Sequence, residues 1–347
     1  MEKLLSSLLS HKDNRLRLFD MGRRVSKLST DVFAKVEQNL VPYPMPFLHH
    51  AWIGMLMWNP KKKDENLIWF LKFPLDEQGF LVQAARDDIV NRLLQNALMP
   101  DIDKEDALKD NPFSFTPDAE KMAIFHAQAA LILGQPASQY YEDVQQYLSA
   151  QRPYEYWENL GLQGIADFIV RLDQGTNEQS LCTNFGSLPT PLLLSISRLL
   201  EHSQPSYPLL STLSQYLNQL LEHEECSPDM IAALVRAISN TTLTQARDEM
   251  IINVLSSAYA THTEVLLAVA TRNLTSLYQP EILHAFLERL AICDAGQQAF
   301  TRILSDLMFL PEMRALILKA FRHDGLSDAL RHAIGAMLGQ KRSASSH

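Results

Sequence analysis

AWIGMLMWNPKKKDENLIWFLKF, residues 51–73, decides the reading of the fold. Two apolar, aromatic-rich runs, AWIGMLMWN (51–59) and NLIWFLKF (66–73), flank the polar segment PKKKDE. Runs of this length and composition bounded by turn residues pair as strands, so the stretch predicts an antiparallel hairpin with a polar loop. Forward of it, PLDEQG (74–79) reads as a second turn in which Gly79 is free to take positive φ. FLVQ then reads as a short third strand. ARDDIVNRLLQNAL reads as a helix with Asp87 and Asp88 in its first turn, where acids suit the helix dipole. Backward of it, PYPMP (42–46) is an extended connector, and Ser29, Thr30 and Asp31 offer a cap to a helix ending near Gln38. RLRLFDMGRRVSKL alternates like a strand, with Gly22 as a turn or bulge, and Leu4, Leu5, Leu8 and Leu9 share one face of a short helix. Residues 1–115 are therefore expected to form an α+β module around a small antiparallel sheet. The acidic, turn-rich segment 101–117 is expected to be a linker.

From 117 onward helix follows helix. LLLSISRLLE (from 192), MIAALVRAIS (230), EVLLAVATRN (264) and AFTRILSDLM (299) recur every 34–38 residues. Partner helices begin near Leu209, Glu249, Glu281 and Glu312. Helix pairs at this period are what an α-solenoid needs, because each pair must bury its apolar face on the next. Residues 116–339 are expected to form an all-α helical-repeat, HEAT-like region, with an irregular all-α domain as the competing arrangement. Residues 340–347 are expected to be a disordered tail.

The chain has 347 residues, 46% of them hydrophobic, with a net charge of −9. Residues 1–115 hold 16 Lys+Arg and 16 Asp+Glu, whereas the remaining 232 hold 15 and 24. An acidic C-terminal two-thirds argues against extended nucleic-acid binding and against anionic membrane surfaces. Cys182, Cys226 and Cys293 are few, odd in number and far apart, which fits reduced thiols rather than a secreted framework. The N-terminal apolar run is too short for a signal peptide, and the long uncharged stretch from Asn39 to Pro60 is broken by prolines. The expected location is the cytoplasm.

Motifs that carry chemistry are missing. The sequence has no phosphate-binding glycine loop, no GxSxG elbow and no HExxH. His223, Glu224, Glu225 and Cys226 lack a second ligand pair, and His323–Asp324 with His284 upstream lacks the further ligands that a metal phosphohydrolase needs. No metal and no cofactor is expected. GLQG (161–164) reads as a packing site, and His126, on an apolar helical seam, as a core histidine. The residues singled out for partner binding are all N-terminal: Arg23 and Arg24 after Gly22, and Asp76, Glu77, Arg86 and Asp87 across the third strand. They would form a site where two charged segments converge at one end of the sheet. The competing reading is a turn, a helix N-terminus and surface ion pairs.

PYPMPFLHHAWIGMLMW, IWFLKFPLDEQG and AARDD, together with the upstream FDMGRRV, resemble an uncharacterised gammaproteobacterial family, domain of unknown function 3549. The resemblance covers essentially the full length and is most specific between Phe19 and Asp88. It implies a bacterial cytoplasmic protein of about this size and brings no activity, cofactor or catalytic residue. The favoured function is a non-enzymatic protein-interaction scaffold or adaptor with a protein partner. The rivals are an enzyme with a polar site between the module and the array, and a nucleic-acid-linked regulator using the basic N-terminal segment.

Overall fold

The computed structural model describes residues 4–10, 14–97, 111–222 and 226–344. The chain divides into two compact units, Met1–Gln135 and Pro136–His347.

In the first unit, β1 (Arg15–Asp20), β2 (Ser26–Leu28), β3 (His50–Asn59) and β4 (Lys62–Pro74) form one antiparallel sheet in the order β2-β1-β3-β4. Side chains alternate across it, as the pleat requires. One face carries Leu18, Ile53, Met55 and Leu71, all buried. On β1 it meets α1 (Leu5–Leu9) and α2 (Thr30–Glu37), and α3 (Gln83–Ala97) packs on β4. The other face carries the cross-strand row Phe19, Gly54 and Phe70. There α4 (Ala119–Leu133) inserts Phe125, whose ring centroid lies 5.0 Å from Phe19 and 4.9 Å from Phe70, both edge-on. Gly54 makes room for it: a Cβ at that position would stand 2.8 Å from Phe125 Cε2 and 3.1 Å from Met21 Sδ. The glycine is required by close approach.

The structure departs from the sequence expectations at several places. The hairpin loop is shorter than six residues: β4 already begins at Lys62, so the turn is confined to Pro60 and Lys61, with a register shift at Trp58/Asn59. Lys62, the first residue of the strand, is exposed and suits a strand at the sheet edge. FLVQ is no strand: only Leu81 bridges to Leu75, and α3 starts at Gln83. Arg23 and Arg24 sit in the bend between β1 and β2, so strand alternation does not govern them. Of the expected linker, residues 101–110 lie outside the described residues. Its end hydrogen-bonds to the β4 edge, Lys72 N–H to Phe113 C=O (2.7 Å) and Phe115 N–H to Phe70 C=O (3.2 Å). The first unit therefore runs past position 115 to Gln135, because α4 completes its core. At the other terminus the final helix continues through Ala344 rather than ending before a tail at 340; residues 345–347 lie outside the described residues.

The second unit is helical, with no strand among the described residues. Its helices are α5 (Tyr141–Leu148), α6 (Leu162–Ile169), α7 (Asn177–Asn184), α8 (Thr190–Leu200), α9 (Tyr207–Glu222), α10 (Pro228–Ala237), α11 (Thr244–Ser256), α12 (Thr263–Arg272), α13 (Pro280–Leu290), α14 (Gly296–Met308), α15 (Pro311–Ala320) and α16 (Asp328–Ala344). Proline in the first turn starts α8, α10, α13 and α15, where its missing N–H costs nothing. Each helix buries an apolar face, such as Leu192, Leu193, Ile196, Leu199 and Leu200 on α8. The packing alternates. α6, α8, α10, α12, α14 and α16 meet one another in succession, and so do α5, α7, α9, α11, α13 and α15. Gly164, in the expected packing segment, sits where a Cβ would stand 2.5 Å from the Tyr140 carbonyl oxygen, and Gly161 caps α6. His126 is on the exposed side of α4 and is no core residue.

Candidate functional site

The six residues singled out in the sequence are held by different partners. Arg23 is 3% exposed; its Nε donates to the Pro46 carbonyl (3.3 Å) and its guanidinium lies 5.4 Å from the Phe47 ring centroid. Arg24 is half-buried in the same bend. Asp76 and Glu77 are exposed, and the Asp76 carboxylate folds back on its own turn, accepting from Gln78 N–H and Phe80 N–H at 2.9 Å each. Such an Asx turn is why Asp suits this position.

Arg86 and Asp87 belong to a third place. Arg86, 3% exposed, donates through Nη1 to the Glu37 carbonyl (2.5 Å) and through Nε and Nη2 to Asp87 Oδ1 (2.9 and 2.6 Å). Glu37 is fully buried and accepts from the N–H groups of Leu5 (2.6 Å) and Ser6 (3.1 Å), supplying the first turn of α1 with its missing acceptor. Burial raises the Glu37 carboxyl above its ordinary range, against those hydrogen bonds and the Arg86 charge. This cluster ties α1, α2 and α3 together, and only Asp87 reaches solvent.

A deeper group joins β1 to the connector 42–46. Tyr43, 2% exposed, donates its hydroxyl to Asp20 Oδ1 at 2.6 Å, while Lys121 Nζ donates to the Gly22 carbonyl at 2.7 Å. Burial pushes the Asp20 carboxyl up to about 7, although the Tyr43 bond, the Gly22 N–H and the Lys121 and Arg23 charges pull it down. Burial beside that acid also drives the Tyr43 hydroxyl well above its usual range. Asp20 is 1% exposed, so its carboxyl lies inside the fold. The connector is steered here by a two-residue turn at Leu48 and His49, both with positive φ (49° and 61°), closed by reciprocal Phe47–His50 backbone bonds of 3.1 Å.

Among the described residues of the helical unit, buried carboxylates meet arginines at two places. Asp167 receives Arg171 Nη1 at 2.6 Å and the Ser138 N–H at 3.1 Å. Asn177 then links the Arg171 carbonyl (2.8 Å) to the Tyr141 hydroxyl (2.9 Å). Farther along, Glu201 at the end of α8 takes a forked pair of bonds from Arg272 at the end of α12, Nε at 2.8 Å and Nη2 at 3.1 Å. His202 Nε2 stands 3.6 Å from the same carboxylate. Burial by itself would raise the Glu201 carboxyl, but the charges of Arg272, His202 and Arg236 outweigh it and hold it below the ordinary range. LLEH (199–202), an acid and a histidine closing an apolar stripe, is the local signal that sequence reasoning passed over.

His284 and His323, separated in sequence, do meet, with ring centroids 5.6 Å apart. Among the described residues no group of three or more His, Cys, Asp and Glu side chains is placed to hold a metal ion. His223, Glu224 and Glu225 lie outside the described residues. Cys182 and Cys226 are half-buried and Cys293 is buried, and burial raises the Cys182 and Cys226 thiols above their ordinary range, away from the reactive thiolate. No helix of the described chain is long and apolar enough to cross a membrane.

A small antiparallel sheet unit followed by a helical unit, with its polar groups spent on internal clasps, is the class that fold and sites define. The family described as a protein of unknown function, DUF3549, matches residues 3–338, and the chain belongs to it. No curated protein and no solved structure matches the chain.

Proposed function

We propose that the helical unit is a HEAT-like α-solenoid and that the protein is a non-enzymatic interaction scaffold or adaptor of the bacterial cytoplasm. The observation that carries this reading is a set of bridges between successive helix pairs at a nearly constant interval. Asn184 Nδ2 donates to Leu148 C=O, Asn240 to Ser203 C=O and Asn273 to Val235 C=O, across 36, 37 and 38 residues, at 2.9–3.0 Å. Arg289 Nε donates to Leu255 C=O across 34. An irregular helical domain has no reason to repeat a bond at the period of its helix pairs, whereas a stacked array does. Arrays of this kind present extended surfaces that suit protein partners. The buried positions of Arg23 and Arg86 weigh against both the nucleic-acid and the enzymatic alternatives, since two of the cations those would use are inside the fold.

Affinity purification of the full chain from its native host, followed by mass spectrometry, is the test. One stoichiometric protein is expected, and it should be lost when α13–α16 are deleted. A preparation that recovers no protein above background but converts a small molecule from a host extract would overturn the scaffold.

A further inference from the structure

An open groove of about 470 Å³ runs between α11 and α13, which pack side by side. Its floor is apolar: Ile252 from α11, with Pro280 and Ile282 from α13. Ile282 is 2% exposed and belongs to the core. Ile252 is 40% exposed, although its neighbour Ile251 already fills the core-facing position of that turn. The walls carry the carboxylates of Asp248, Glu249 and Glu281, and no Lys or Arg among the described residues lines the groove. Asp248 is already engaged. Its Oδ1 accepts from Arg247 Nε (3.1 Å) and Nη2 (2.9 Å) and from Ser276 Oγ (2.6 Å). Glu249 and Glu281 are exposed, and among the described residues neither makes an ion pair; Glu249 accepts only from Gln245 Nε2, at 3.1 Å. Glu281 suits the first turn of α13, where the helix dipole favours an acid. Glu249, midway along α11, has no such reason to be there. A second cavity of the unit, at Asp229, Glu264 and Asp294, differs on this point. There Asp294 is bound by Thr263 and His262, while Asp229 and Glu264 lie in first turns.

We propose that the α11–α13 groove docks an arginine side chain from an extended segment of a partner protein. Its methylene stem would lie over Ile252 and Pro280, and its guanidinium would meet Glu249 and Glu281. The proposal rests on the scaffold reading for its partner class. Charge complementarity chooses the occupant: two carboxylates without a cation face a groove in the acidic part of the chain, which repels a phosphate backbone. The apolar floor suits a long side chain that buries its stem and keeps its head in water. Arginine fits better than lysine because its planar fork of five donors can serve two carboxylates at once.

The test is a titration of the full chain with the blocked tripeptide acetyl-Ala-Arg-Ala-amide, followed by backbone amide NMR. The control carries citrulline, which keeps the shape of arginine and loses its charge. The arginine peptide is expected to shift signals of α11 and α13, and the citrulline peptide to bind about tenfold more weakly. Glu249→Gln combined with Glu281→Gln should remove that preference while melting close to the wild-type temperature. Ile252→Ser should weaken both peptides and keep the preference. Shifts scattered over the acidic surface, equal affinity for the two peptides, or an undiminished preference in the double variant would overturn the site. Saturation by spermidine at a lower concentration than by the peptide would overturn arginine as the occupant. A host partner recovered equally by wild type and the double variant would remove the groove and leave the scaffold standing, so the two failures are separable.

Discussion

The two units solve the burial of polar groups in opposite ways. In the first, the decisive contacts are far apart in sequence. Lys121 reaches the Gly22 carbonyl across 99 residues, and Arg86 the Glu37 carbonyl across 49. In the second, most bridges link a helix pair to the next, and the longest among the described residues spans 71 residues. A core assembled from distant pieces has no smaller folded version of itself, whereas a row of similar pairs does. The first unit is therefore expected to lose its structure as a whole and the second to lose it by parts.

The largest effects should expose this difference directly. Phe125→Ala removes the ring that fills the Gly54 cradle and should cost about 3–5 kcal/mol. Hydrogen exchange should then accelerate throughout the sheet, β2 included. Asp167→Ala strands a buried Arg171 and should cost a similar amount, about 3–5 kcal/mol. Here the loss of protection should stay within α5–α8 and spare α13–α16. Uniform acceleration across α5–α16 would contradict the contrast.

Next in size is a pH effect confined to the first unit. The folded Asp20 carboxyl, at about 7, lies above its unfolded value. Between the two the folded chain binds the extra proton, so stability falls as pH rises through that window and levels off above it. A shift of this size corresponds to at most about 4 kcal/mol. Glu37 acts in the same direction, so the informative quantity is the difference between wild type and Asp20→Asn in urea unfolding. The variant's relative stability should rise from pH 4 to 7 and then stay constant. Parallel pH curves would show that the carboxyl titrates normally.

Smaller effects belong to the turns. Asp76→Ala removes the carboxylate that accepts from two backbone N–H groups on the surface and should cost about 1 kcal/mol, whereas Glu77→Ala should fall within about 0.5 kcal/mol. Replacing Leu48–His49 by Asn-Gly relieves positive φ at two residues unsuited to it and should stabilise the first unit by about 1 kcal/mol in thermal melts. Destabilisation would mean that the Leu48 and His49 side chains contribute more than the backbone relief.

What the sequence made legible was whatever repeats locally. The hairpin, the helix after Ser29 and the recurring segments that became α8, α10, α12 and α14 all follow from apolar spacing, which a short window contains. FLVQ misled because its composition suits a strand while the tight turn at 76–79 leaves room for a single bridge. The early boundary at 115 missed that Gly54, a featureless glycine in a strand, is the socket for a ring on α4. The supposed meeting of Arg23 and Arg24 with Asp76, Glu77 and Asp87 came from counting charges. Arg23 instead binds a carbonyl and a ring, and Asp76 its own turn.

The Glu201–Arg272 fork deserves one last consequence, because it joins helices that are not adjacent in their row. A row whose members touch only their immediate neighbours frays from its end one pair at a time. A bond that spans α10 means that unzipping from the C-terminus should pause before α12: detaching α12 takes the forked Arg272 bonds from a sealed carboxylate, and α8 through α12 should then release together. Pulled from its C-terminus in an optical trap, the chain should yield small early steps followed by a larger one, and Arg272→Met should break that larger step into smaller ones.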